Sequence, residues 1–177
     1  MPSKKWTVGA VLEYHPCHCY DEKEITALWA GRKALSLMEI LGLEIRAQDR
    51  MWFVCQKGVL SKQRREQLFV RIAGRAIRRA LDSPVTDRWR QWAEDWLSGK
   101  DQSARAAMEE AKAAGTMRHW FAALAAAGKA AGNLQTVSMR AASSIRWQRS
   151  GCTSRIVAKY ESQEYESQIL DVLAVLE

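Results

Sequence analysis

The chain has 177 residues, with 27 Lys plus Arg against 20 Asp plus Glu and a formal charge of +7. Such a length supports one domain that buries about 70% of its unfolded surface, so neither disulfides nor a metal is needed for a core. Apolar residues make up 47% and charged residues 27%, which excludes a disordered or fibrous chain. The basic balance fits nucleic acid or an acidic protein surface as a partner, and solubility alone explains it equally well.

The start, Met1 to Trp6, lacks the apolar run of a signal peptide, and no stretch approaches 18 apolar residues. A protein of the cytoplasm that does not contact membrane is expected. Cys17, Cys19, Cys55 and Cys152 show no disulfide framework.

Residues 1–20 have no strong period and are expected to form an irregular N-terminal arm. Within them His15, Cys17, His18 and Cys19 crowd four metal-ligand types into five residues. The spacing differs from the usual C-x₂₋₄-C pairs, so no metal site is assigned, and no cofactor is called for.

Residues 21–177 read as one helical domain. Asp21 is a sensible N-cap, with Glu24 placed to complete a capping box. Ile25, Leu28, Trp29, Leu35, Met38 and Leu41 follow as an apolar stripe ending at Gly42. Arg46–Gln56 is a short helix closed by Gly58.

Ser61 opens the best amphipathic segment, which runs to about Leu81. Phe69, Ile72, Ala73, Ala76, Ile77 and Ala80 lie on one side of it. Arg64, Arg71, Arg75 and Arg78 lie on the other, and Arg79 borders them. These five arginines are the candidate binding residues. Lys62, Arg65, Arg88 and Arg90 add charge nearby. The alternative is a solvated helix face.

Ser83-Pro84 predicts the next helix start. Trp89, Trp92 and Trp96 then fall on one face, as core or as an aromatic platform. Arg88 stands four residues before Trp92, within reach of a cation–π contact.

Between Ala104 and Ala131, 13 of 28 residues are alanine. Alanine favours helix because it loses no side-chain entropy. Ser103 or Asp101, Thr116 and Gly132-Asn133 divide residues 103–148 into separate short helices that serve as scaffold. Ser150-Gly151 breaks the chain before a terminal helix over 153–177. There Tyr165, Ile169, Val172 and Leu176 form a stripe. It docks within the monomer or pairs with a second copy as a homodimer.

The whole reads as all-α: a single-domain array or bundle of about seven to eight short helices. Glu109-Glu110 and Glu94-Asp95 are adjacent and do not face each other on a helix. His119 has no nucleophile beside it in sequence. No phosphate-binding loop, dinucleotide fingerprint, metalloprotease or serine-hydrolase motif is present. No catalytic residue is assigned, and an enzyme is not expected.

Several strings recur in order: Gln48-Asp49-Arg50-Met51-Trp52-Phe53, Gly58-Val59-Leu60, and Ala76-Ile77-Arg78-Arg79-Ala80-Leu81. Trp96-Leu97-Ser98-Gly99-Lys100-Asp101, the alanine run, Arg146-Trp147-Gln148 and the leucine-tipped end 170–176 follow. This order, over about residues 25–177, resembles a loose group of Ala-rich helical proteins of phages and prophages, some labelled immunity proteins. Residues 149–168 depart from it: the step from Trp-Gln to the terminal leucines is longer here. The resemblance implies a non-enzymatic accessory protein that binds and inhibits a host protein or defence complex, anti-CRISPR action being one instance. Direct DNA or RNA binding through the same arginine face is the alternative.

Overall fold

The computed structural model describes residues 4–16, 20–130, 132–146 and 154–176. It is all-α, with ten helices and one two-stranded ribbon among the described residues. Lys5–Trp6 (β1) and Leu35–Ser36 (β2) pair antiparallel, with Trp6 opposite Leu35. Val8–Leu12 (α1) follows, capped by the Thr7 hydroxyl. The N-terminal arm is therefore short but anchored. Trp6 is buried edge-on to Phe53, and its carbonyl accepts from the Trp29 indole N–H at 3.1 Å. The cluster around His15 falls partly on residues 17–19, which lie outside the described residues.

Glu22–Trp29 (α2) starts with the expected Asp21–Glu24 capping box. The stripe expected to continue to Leu41 breaks. Ala30 and Gly31 both take positive φ, and Ser36 opens a second capping box with Glu39 for Leu37–Leu41 (α3). A left-handed turn at Ala30 is uncommon for a residue with a Cβ. Gly31 beside it carries the same conformation freely. The turn brings Leu35 back against Trp6.

Ala47–Val54 (α4) and Lys62–Leu81 (α5) come next. Leu68, Phe69, Ile72, Ala73, Ala76, Ile77 and Ala80 of α5 are buried. Asp87–Leu97 (α6) starts later than its proline suggests. Thr86 is the N-cap, and Ser83 instead closes α5, its hydroxyl donating to the Ala80 carbonyl at 2.7 Å. Trp89, Trp92 and Trp96 are core.

Ala104–Ala113 (α7), Met117–Ala130 (α8) and Leu134–Arg146 (α9) make the alanine-rich layer. A Cβ on Gly128 would meet Val137 Cγ2 at 2.9 Å, so only glycine there lets α8 and α9 approach this closely. The break at Ser150-Gly151 falls outside the described residues, and Ser154–Leu176 (α10) ends the chain's described part. Helix α5 sits centrally, packed against α6, α8, α9 and α10. Tyr165, Ile169 and Val172 are buried, and Leu176 packs partly buried against the same core. That stripe docks within the monomer. Among the described residues no helix is long and apolar enough to cross a membrane.

Candidate binding interface on the arginine helix

The arginine side of α5 is not one surface. At 100° per residue, Arg75 and Arg79 sit on the edge of the stripe nearest the buried face. That edge meets α10, and both side chains turn onto it.

Glu164 is the centre of what they meet. Its side chain is only 1% exposed. Arg79 Nη1 donates to Glu164 Oε2 at 2.5 Å, and Arg75 Nη1 stands 3.6 Å from Oε1. Arg75 Nη2 also bonds Asp171 Oδ2, and it donates to the Ser167 carbonyl at 3.2 Å. Gln168, fully buried, donates to Glu164 Oε1 at 3.1 Å and to the Ser138 carbonyl at 3.2 Å, while its own Oε1 accepts from the Ser138 hydroxyl at 2.5 Å. A buried carboxylate persists only when paired and hydrogen-bonded; here α5 and α10 supply the partners, and Ser138 of α9 holds Gln168.

Two further arginines extend this clamp. Arg64 donates to the Leu176 carbonyl at 2.8 Å, a cation at the negative end of α10. Arg50 of α4 bonds Glu166 and also donates to the Leu41 carbonyl at 2.9 Å. Burial holds the Asp171 carboxyl above the usual range and outweighs the pull of Arg75 and Arg71 in the other direction. The clamp is incompletely satisfied. Arg79 Nε and Nη2 and Arg75 Nη1 are buried without a hydrogen-bond partner among the described residues.

Arg71 and Arg78 are different. Both are exposed, and neither forms an ion pair among the described residues. They share the ridge of α5 that points away from its buried face. Gly74 lies between them, and a Cβ there would touch Trp96, Leu97 and the Arg78 guanidinium at 3.5 Å. Of the nearby cations, Arg65 donates to the Gln56 carbonyl and Arg88 bonds Glu110, so Arg88 serves an ion pair rather than Trp92. Lys62 and Arg90 are exposed.

The chain matches no family model, no curated protein and no solved structure. The chemistry of the remaining sites therefore rests on geometry alone.

His119 is buried between two hydroxyls. Its Nε2 is 3.0 Å from Ser83 Oγ and its Nδ1 is 2.8 Å from Thr116 Oγ1. Ser83 Oγ is also 2.7 Å from the Ala80 carbonyl; a hydroxyl proton given to that carbonyl matches the tautomer in which Nε2 donates to Ser83 and Nδ1 accepts from Thr116. The group works as a brace at the end of α5, with Trp89 against the ring at 4.8 Å. Burial lowers the His119 pKa; the Ala80 carbonyl opposes this and Arg118 adds to it.

A trough of about 210 Å³ lies between α4, α9 and α10, lined by Trp52, Cys55, Gln135, Met139 and Tyr165 among others. Burial pushes the Cys55 thiol and the Tyr165 phenol each up to about 12, so both stay protonated at neutral pH and neither is a ready nucleophile. Among the described residues no group of three or more His, Cys, Asp or Glu side chains is placed to hold a metal. Cys152 lies outside them.

Sequence reasoning missed Glu164, Gln168, Ser138 and Arg50. A signal existed for two of them: Glu164 and Gln168 are four apart and fall in phase with Asp171 and Val175, on the flank of the Tyr165–Ile169–Val172 stripe. Polar residues in a buried phase require partners on other helices.

Proposed function

We propose that this chain is a non-enzymatic binding protein that acts inside the cell as a phage-type inhibitor of a host protein or defence complex. Arg71 and Arg78 are its contact residues, with Arg64 at the edge of the surface. The carrying observation is that these two exposed arginines, without an ion pair among the described residues, stand on a helix whose opposite side is locked in the core, with Ile72, Ala73, Ala76 and Ile77 fully buried. Charges held on such a rigid element bind an acidic surface with little loss of side-chain freedom beyond their own. Arginine also pairs two-pronged with carboxylate or phosphate. The immunity and anti-defence reading rests on the resemblance of the Ala-rich helical order; the basic ridge supports binding in general.

The test uses the tagged full chain and its Arg71→Glu/Arg78→Glu variant as bait in a nuclease-treated bacterial lysate. One complex recovered by the parent chain and lost with the variant supports the reading. Equal recovery by both refutes the ridge. Affinity for a DNA duplex that falls steeply between low and physiological salt, as counterion release requires, points instead to direct nucleic-acid binding through the same arginines.

A further inference from the structure

We infer that the alanine-rich layer carries a second docking surface, a groove for an acidic amphipathic helix of another protein, on the outer side of α8. Helices α7 and α9 flank α8, and their alanines are too small to fill the space between them. A depression of about 450 Å³ results, with Leu124, Ala127 and Gly128 at its floor and Met108 and Arg140 on its sides. A second hollow of about 340 Å³ lies further along α8, lined by Ala111, Lys112, Met117 and Trp120. Met117, Trp120, Leu124 and Ala127 follow one another at helical spacing, so both hollows lie along one face of α8.

Three observations identify the surface and its occupant. Large apolar side chains stand in solvent there: Met108 is 41% and Met117 40% exposed, and Trp120 and Leu124 are half-buried beside them. Methionine adapts to varied partners, and Trp and Arg are the residues most enriched in binding hot spots. Trp120 is also held in place, with the Arg140 guanidinium 5.6 Å from its ring centre.

The third observation is charge. Lys112 and Arg140 line the two hollows as cations. Arg105 and Glu109 of α7 lie outside that lining and pair with each other. Neither Lys112 nor Arg140 forms an ion pair among the described residues. An apolar trough with a cationic rim is complementary to a helix with one apolar stripe and acidic flanks. The 14 residues of α8 span about 21 Å, the length of about four turns of partner helix. This surface is independent of the Arg71–Arg78 ridge, because α8 packs on the buried side of α5.

The six methionines of the chain provide the readout. The full-length protein, with methyl-labelled methionine, is titrated by NMR with a synthetic amphipathic helix of about four turns, leucine on one face and glutamate on its flanks. A second peptide has lysine in place of each glutamate. The Met108 and Met117 methyls are expected to shift saturably with the acidic peptide. Met51, buried, and Met38 and Met139, exposed elsewhere, should stay still. Met117→Glu should weaken binding about tenfold, while Arg71→Glu/Arg78→Glu leaves it unchanged. The inference fails if Met108 and Met117 do not respond, if the lysine peptide binds as tightly, or if a DNA hairpin moves the same methyls at lower concentration. It fails equally if those methyls broaden with protein concentration alone, which would make the groove a contact between two copies of this chain.

Discussion

At the scale of residues, the decisive fact is that five arginines of similar appearance hold different jobs. Arg75 and Arg79 neutralise Glu164 inside the protein, and Arg64 closes α10. Arg71 and Arg78 have no comparable partner among the described residues. Removing the buried anion should therefore hurt more than removing an exposed cation. Glu164→Gln leaves two mostly buried guanidiniums facing an amide, and should destabilise folding by about 3–5 kcal/mol in denaturant titration. Arg71→Ala and Arg78→Ala should each change it by less than about 0.5 kcal/mol.

His119 supplies a second test, in pH. Its folded pKa lies below the ordinary value. The unfolded chain therefore takes up a proton first as pH falls. The brace's stability is complete above about pH 6.5 and is lost as pH falls through the lower folded value. In His119→Gln, which keeps a side-chain N–H near Ser83, that part of the acid-side decline should disappear from denaturation curves taken at successive pH values.

At the scale of elements, helix α10 shows what a hydrophobic stripe alone does not decide. Tyr165, Ile169 and Val172 would drive burial at many registers along α5. Glu164 and Gln168 are satisfied only where Arg75, Arg79 and Ser138 meet them. Ile169→Ala should destabilise by about 2–5 kcal/mol through the cavity it leaves.

Most elements were legible in the sequence because local chemistry decides them. Asp21, Ser61 and Ser103 cap their helices as their side chains suggest, and α5 spans its expected stretch. Where the reading failed, a tertiary partner had won. The stripe from Ile25 to Leu41 breaks because Leu35 pairs beside Trp6. Ser83, read as a helix start, is held instead by Ala80 and His119. The candidate site was half legible for the same reason. Helical phase puts the five candidate arginines on or beside one side of α5, but the position of α10 is a long-range outcome, and it decides which of them reach solvent.

At the scale of the whole molecule, the protein is a helical array in which most of the chemistry that draws the eye is structural. Trp6, Trp29, Trp89, Trp92 and Trp96 are core, His119 is a brace, and three of the five candidate arginines hold the terminal helix. The proposed partner surfaces are the Arg71–Arg78 ridge on one side of α5 and the methionine-lined groove beyond the other. The central claim is this division of α5. It is tested by measuring stability and partner recovery on the same two variants. Arg71→Glu/Arg78→Glu should keep the parent's unfolding midpoint and lose partner recovery. Arg79→Ala should lower the midpoint clearly, since Glu164 is left under-paired in the core, and retain recovery wherever it is folded. The opposite pattern, a ridge variant that unfolds early or still recovers the partner in full, would contradict the account.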